Sequence, residues 1–151
     1  MNSKRIFLKL ISIAKKSKDP KGIVSACLVR DGKIFDYAVS SDNGVDHAEK
    51  ILLSKYKNNS LGEFVLYVTL EPCSRRSDPN NKSCSDYINV KGIKKVVFGA
   101  LDIQQHSSTL KKMKENNIKI KQIEDQEIIQ ECQELFNSSI VDNDNYKFFN
   151  L

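Results

Sequence analysis

The sequence predicts one three-layer α/β/α domain, with helices on both faces of a central sheet. Segments in which apolar residues recur with a helical period alternate along the chain with short apolar runs that are typical of strands. No internal repeat or linker interrupts this alternation, and 151 residues suit one domain with its own core. We assign residues 1–140 to this domain and residues 141–151 to a polar C-terminal tail.

The first half of the chain predicts a helix, a hairpin, a second helix and a third strand. Apolar residues recur with helical spacing at the start of the chain, and Asp31 with Gly32 is a turn signal between two strand-like runs. Asp46 is the expected cap of the second helix. The predicted elements are a helix at 4–17, strands at 23–29 and 33–40, a helix from 46 to 55 and a strand at 63–70.

The second half of the chain predicts two more strands and three helices. Pro72 ends the third strand because proline has no amide hydrogen to donate, and Gly92 closes a short helix. His106 falls in a loop after a strand end, where an exposed position is favoured and a role at the rim of the ligand crevice stays open as the alternative. The predicted elements are a short helix at 86–90, a strand at 94–100, a helix at 107–116, a strand at 118–123 and a last helix at 125–137.

The composition indicates a soluble globular protein with a basic balance. No apolar run reaches membrane-spanning length. The start of the chain has no signal-peptide cleavage pattern, so we expect a cytoplasmic protein without a membrane partner. Thiols stay reduced in that compartment, and four cysteines then indicate metal binding or burial before disulfides. The net charge of +5 suits a phosphorylated small molecule or RNA.

Four residues in the middle of the chain carry the chemical signal. His47 and Glu49 fall in the first turn of the second predicted helix, Cys73 follows the third strand, and Cys84 lies just before the short helix. Strand ends and nearby helix N-termini form the ligand crevice of open α/β sheets, so these side chains can converge. One imidazole and two thiolates suit catalytic zinc, which keeps its fourth position for water. Glu49 would then carry protons beside that water.

Each part of this signal has a simpler interpretation when it is taken alone. His47 would be an ordinary histidine at a helix start, and Cys73 with Cys84 would be a disulfide or two free thiols. The combination of all the parts in this order favours the zinc site. Cys27 and Cys132 lie in apolar segments and are expected in the core.

Two short motifs of the chain resemble the zinc signature of the cytidine deaminase superfamily. They are His-Ala-Glu at residues 47–49 and Thr-Leu-Glu-Pro-Cys at residues 69–73. The form they take is similar to the deaminase domain of riboflavin biosynthesis, whose sequence residues 66–74 and 92–102 follow closely. The two cysteines stand close together in tRNA adenosine deaminases and most nucleotide deaminases. Here a long loop separates them, as it does in the riboflavin branch.

This resemblance implies a stand-alone zinc-dependent deaminase with a cytidine deaminase-like fold, built on a central five-stranded mixed sheet. It implies Zn²⁺ as the cofactor, with His47, Cys73 and Cys84 as its ligands. Glu49 would be the catalytic residue, and a diaminohydroxyphosphoribosylaminopyrimidine would be the substrate. Because this fold commonly self-associates, a homo-oligomer is expected.

The loop between the two cysteines and one later aspartate are the expected substrate contacts. Asp102 matches the start of an Asp-Pro-Asn-Pro motif of the riboflavin branch. Arg75, Arg76 and Lys82 are candidates for binding the phosphate, which arginine holds with two parallel hydrogen bonds, and the alternative for each of them is a solvated position in the loop. Other parts of this loop depart from that branch, so two alternatives stay open. The first is a deaminase of the same fold that acts on another nucleoside, nucleobase or RNA base, with nucleic acid not favoured. The second is a non-catalytic zinc-binding module.

Overall fold

A computed structural model describes residues 2–16, 23–40, 47–74 and 82–141 of the chain. Within these residues five helices and five strands alternate in the order that the sequence predicts. The helices are α1 (Ser3–Ala14), α2 (Ala48–Leu53), α3 (Cys84–Val90), α4 (His106–Glu115) and α5 (Gln126–Val141). The strands are β1 (Ser25–Arg30), β2 (Lys33–Val39), β3 (Val65–Leu70), β4 (Lys95–Ala100) and β5 (Lys119–Gln122).

The strands form one mixed sheet in the order β2-β1-β3-β4-β5. Strand β1 is antiparallel to both of its neighbours, and β3, β4 and β5 are parallel to one another. Ser25 at the start of β1 therefore lies opposite Val39 at the end of β2, and Ala26 lies opposite Val68 near the end of β3. All strands except β1 end at the same edge of the sheet. The segments that leave β2 and β3 carry His47 and Cys73 from this edge.

Helices cover both faces of the sheet and bury one apolar cluster on each. Leu52 of α2, Ile88 of α3 and Met113 of α4 belong to the cluster on one face. Phe7 of α1 and Ile128 of α5 belong to the cluster on the other. Full burial of such side chains stabilises the fold by about 1.5–3 kcal/mol each. Among the described residues, no helix has the length and apolar character that crossing a membrane requires.

The hairpin between β1 and β2 follows directly from the sequence. Asp31 and Gly32 have φ angles of 53° and 74°, so both central residues of the turn lie in the left-handed region. This is the requirement of a type I′ turn, whose twist matches that of the two strands it joins. Gly92 has φ 85° where the chain leaves α3, as expected for the glycine that ends a helix.

The predicted three-layer fold and five-stranded mixed sheet are confirmed, whereas two predictions at helix starts are wrong. Cys84 is the first residue of α3 and does not precede it. His106 is the first residue of α4 and does not lie in a loop. The predicted cap Asp46 lies outside the described residues, and His47 occupies the N-cap position of α2. The boundary at residue 140 stays a prediction, since α5 runs to Val141 and the rest of the tail lies outside the described residues.

Candidate metal centre

Three potential metal donors meet at the sheet edge where β3 ends. His47 is the N-cap of α2, Cys73 follows β3, and Cys84 is the first residue of α3. One donor atom from each of these side chains lies within 4.8 Å of the other two. The predicted convergence of the imidazole with the two thiols is therefore present in the structure.

Local hydrogen bonds explain why Cys84 points toward Cys73. Ser83 and Asp86 form a reciprocal capping box, in which each side chain accepts a hydrogen bond from the other's backbone amide. This box starts α3 at Cys84, whose own amide then donates to Cys73 Sγ at 3.2 Å. Ser85 adds two bonds to the Cys73 carbonyl, from its amide at 3.0 Å and from its hydroxyl at 2.8 Å. The first turn of α3 is thereby attached to the segment that carries Cys73.

The donor set and its spacing fit zinc. His47 Nδ1 lies 3.2 Å from Cys84 Sγ and 3.7 Å from Cys73 Sγ. Nitrogen and sulfur atoms bound to one tetrahedral zinc at ordinary bond lengths stand about 3.6 Å apart. Two soft thiolates also favour zinc over magnesium or calcium, which prefer oxygen ligands. Three protein ligands with a fourth position left for water are the arrangement of catalytic zinc sites.

The pKa values of the two thiols shift in opposite directions because the thiols share one hydrogen bond. The bond from the Cys84 thiol is the largest cause that lowers the pKa of Cys73 to about 4, against the effect of burial and with help from His47. The same bond raises the pKa of Cys84, and burial and the charge of Glu49 raise it further. Cys73 is therefore the thiol that ionises first. Since metal ligands must be deprotonated, a bound divalent cation would also displace the Cys84 proton.

Glu49 lies beside the three donors, where it is 3% exposed. Burial raises the pKa of its carboxyl group, and the charge of Cys73 raises it further, while His47 and a hydrogen bond with the Cys84 thiol act in the opposite direction. The position of Glu49 follows from the helix, since it is the second residue of α2 and His47 is the N-cap. A buried carboxyl group thus faces the cluster from the same turn that supplies the imidazole.

Sequence reasoning missed a second buried carboxyl group at this edge, that of Glu71. Glu71 is 2% exposed, and its Oε2 lies 2.7 Å from His106 Nδ1 while its Oε1 accepts from the Asp102 amide at 3.3 Å. His106 begins α4 and does not lie in a loop, and its side chain, which is 38% exposed, contacts the edge that carries the cluster, as the alternative position at the crevice rim requires. The signal for Glu71 was its position, directly after an apolar strand and two residues before Cys73. The pairing of Glu71 with His106 could not be predicted from local sequence, because Glu71 follows β3 and His106 follows β4.

The predicted substrate-binding residues are only partly located by the structure. Burial and then the charge of Cys73 raise the pKa of Asp102, whereas the Gln104 and Gln105 amides lower it. The Asp102 amide donates to Glu71, two residues before Cys73. Lys82 is exposed two residues before Cys84. The two predicted arginines, Arg75 and Arg76, lie outside the described residues.

The mixed five-stranded sheet carries an imidazole and two thiols at one edge, which is the donor set of a zinc-binding α/β protein. The chain belongs to the family described as the cytidine and deoxycytidylate deaminase zinc-binding region, which matches residues 1–100. These residues contain His47, Glu49, Cys73 and Cys84.

Two curated relatives show which members of this family the chain resembles. The chain is 39% identical over 102 residues to the riboflavin biosynthesis protein RibD of Aquifex aeolicus, an alignment that covers 64% of this chain and 27% of that protein. It is 35% identical over 108 residues to the diaminohydroxyphosphoribosylamino-pyrimidine deaminase of Schizosaccharomyces pombe, covering 67% and 26% of the two chains. The chain thus spans about a quarter of the length of these curated relatives.

A solved structure shows the same fold. The bifunctional diaminohydroxyphosphoribosylaminopyrimidine deaminase/5-amino-6-(5-phosphoribosylamino)uracil reductase of Thermotoga maritima superimposes with a TM-score of 0.70 and 28% identity. The superposition covers 90% of this chain and 40% of that one. The described fold is therefore shared with part of a larger enzyme.

Proposed function

We propose that the chain is a zinc-dependent hydrolytic deaminase that removes an amino group from a diaminohydroxyphosphoribosylaminopyrimidine. The observation that carries this proposal is the convergence of His47, Cys73 and Cys84 within 4.8 Å, with the buried Glu49 beside them. A purely structural zinc site has no need of a carboxyl group there. The names of the Aquifex and Schizosaccharomyces relatives support the substrate class.

The proposed reaction consumes one water and releases one ammonia. A zinc ion held by His47, Cys73 and Cys84 would lower the pKa of a coordinated water to about 7 and so supply the nucleophile at neutral pH. Glu49 accepts a proton from the attacking water and delivers it to a ring nitrogen. Glu49 then carries a second proton to the departing amino group, and a carbonyl remains on the ring carbon. Burial keeps bulk water away from this proton transfer.

We also propose that Asp102, Lys82 and the two arginines of the inter-cysteine loop bind the substrate. The Asp102 amide donates to Glu71, two residues before Cys73, and this position supports a contact between Asp102 and the reacting ring. Arg75, Arg76 and Lys82 bring three positive charges to the segment between Cys73 and Cys84, which suits a phosphate group. A cytoplasmic location is consistent with the four cysteines, all of which are free.

The variant Glu49→Gln tests the proposed role of the carboxyl group. Replacing the carboxyl group with an amide keeps the size of the side chain and its burial but removes the group that carries protons. Ammonia release should therefore fall by at least about 100-fold, while the zinc content stays at the wild-type level. Glu63→Gln is the matched control, because the Glu63 side chain is 82% exposed at the surface. Full turnover by the Glu49 variant would remove Glu49 from the mechanism.

A panel of amino-bearing pyrimidines and purines, each with and without phosphate, tests the proposed substrate. Ammonia release is expected from the diaminopyrimidine ribosyl phosphate, together with complementation of a strain that lacks the riboflavin deaminase. Failure of both, with ammonia released from another nucleoside or base, would assign the site to a different substrate of the same fold.

A further inference from the structure

Helix α4 presents a polar face to the two segments that carry the cysteines of the cluster. Gln105 is the N-cap of this helix, and Thr109 and Lys112 follow at spacings that place all three on one side of it. His106, next to Gln105, pairs with Glu71 as described above. Within the described residues, this face thus contacts the segments beside the metal centre from an element that contributes no donor to the three-residue cluster.

Two side chains of this face hold the residues on either side of Cys73. Gln105 Oε1 accepts hydrogen bonds from the Ser74 amide at 2.7 Å and from the Ser74 hydroxyl at 3.2 Å. The Thr109 hydroxyl is fully buried and donates to the Pro72 carbonyl at 2.9 Å. Together with the pair between His106 and Glu71, these bonds attach α4 and its N-cap to three residues around Cys73, namely Glu71, Pro72 and Ser74.

Lys112 holds the segment that carries Cys84. Its Nζ donates to Asp86 Oδ1 at 3.1 Å, to Asp86 Oδ2 at 3.3 Å and to Ser83 Oγ at 3.4 Å. Ser83 and Asp86 are the two members of the capping box that starts α3 at Cys84. One lysine of α4 therefore bonds to both side chains that define where the Cys84 thiol is placed.

We propose that this face of α4, composed of Gln105, His106, Thr109 and Lys112, is a brace that sets the zinc affinity of the chain. The inference rests on the proposed function in that it takes the bound metal to be zinc. Cys73 and Cys84 belong to different segments, so their separation is fixed by noncovalent contacts. The brace holds both segments from one rigid helix. Ligands that are already in place bind more tightly than ligands that must be ordered on binding.

Zinc dissociation constants, measured by chelator competition on the full chain, test this proposal. Lys112→Met removes the hydrogen bonds to Ser83 and Asp86, and Thr109→Val removes the hydroxyl but keeps the branched shape. Each variant is expected to weaken zinc binding by about 10-fold, the lower end of the range known for groups that bond to a ligand directly, because Lys112 and Thr109 bond to neighbours of the ligands. Lys112→Arg and Thr109→Ser should restore most of the affinity. Lys114→Met is the matched control, since Lys114 is an exposed lysine of the same helix.

A second measurement separates positioning from simple stabilisation. Denaturant titration of each metal-free variant first measures its free energy of unfolding. Only variants that are folded without denaturant enter the comparison of zinc dissociation constants. A raised dissociation constant in a folded Lys112→Met protein, with Lys114→Met unchanged, supports the brace. Wild-type zinc affinity in both Lys112→Met and Thr109→Val overturns the brace but leaves the proposed function intact. A wild-type chain that binds no zinc overturns both.

Discussion

At the scale of single residues, Gly99 in β4 leaves no room for a side chain. A Cβ atom at this position would lie 2.5 Å from Cys132 Sγ and 2.8 Å from the Thr69 carbonyl oxygen. The sulfur belongs to a side chain of α5, but the oxygen belongs to the backbone of the neighbouring strand β3 and cannot move without disturbing the sheet. Glycine here allows α5 to pack closely on the strands that lead to the metal centre.

Gly99→Ala is therefore expected to lower the free energy of unfolding by about 1–3 kcal/mol, the range of overpacked core positions. Gly62→Ala is the control, because its added Cβ would meet only the Gly92 carbonyl at an ordinary 3.5 Å. Urea unfolding of both variants measures the difference. Equal stabilities would mean that the sheet adjusts to the extra methyl group.

A second residue-scale contact joins β2 to the segment after α2. The Tyr56 hydroxyl donates to Asp36 Oδ2 at 2.5 Å. Burial raises the pKa of Asp36, but hydrogen bonds from Tyr56 and the Tyr37 amide and the charge of Lys55 outweigh it, so the pKa lies below its usual value. Burial and the bond to Asp36 raise the pKa of Tyr56 to about 12.

Tyr56→Phe should destabilise the protein by about 1 kcal/mol near neutral pH through loss of this hydrogen bond. Because the folded pKa of Asp36 is depressed, its contribution is present above the ordinary carboxyl pKa and is lost as pH falls through the lower folded value. Because the folded pKa of Tyr56 is raised, its contribution is present below about pH 10 and is lost as pH rises toward 12. Unfolding curves across pH, with exposed Tyr37→Phe as control, measure this. A pH-independent difference would contradict it.

At the scale of elements, the sequence predicted every described helix and strand because apolar runs, apolar periods and turn residues such as Gly92 mark them along the chain. The helix starts at the metal centre were harder to predict. The sequence predicts the short helix from residue 86, whereas the pairing of Asp86 with Ser83 starts α3 at Cys84. His106 pairs with Glu71, a contact that depends on β3 and β4 lying side by side. Local patterns do not contain that information.

Strand β5 illustrates how an element at the edge of a sheet is protected. Among the described residues it pairs with β4 alone, and its other side is open within the sheet. Lys119 and Lys121 are exposed on this strand, and charged side chains at an edge oppose pairing with another chain.

Replacing both of these lysines with valine should therefore increase self-association. The double variant Lys111→Val and Lys114→Val is the control, since it removes the same charge from exposed positions of helix α4. Light scattering at increasing protein concentration compares the two. If both double variants associate equally, the lost net charge is the cause and the edge is not.

At the scale of the whole molecule, zinc is expected to stabilise the fold by binding the folded chain alone. At a free zinc concentration of 100 times the dissociation constant, the stabilisation would be about 2.7 kcal/mol. Thermal unfolding with zinc and with excess chelator measures this as a shift in Tm. Cys84→Ser should abolish the shift. Cys132→Ser should keep the shift in Tm, because Cys132 is a residue of α5 that lies in the apolar cluster between the sheet and helices α1 and α5.

The position of the brace in the chain has an evolutionary consequence. The family signature covers residues 1–100 and thus contains the three zinc donors and Glu49, whereas the brace occupies residues 105–112. Donors and brace are encoded in successive stretches and can diverge at different rates. Two homologues with identical zinc ligands can therefore differ in how readily they lose the metal, and a comparison restricted to the signature would not detect the difference.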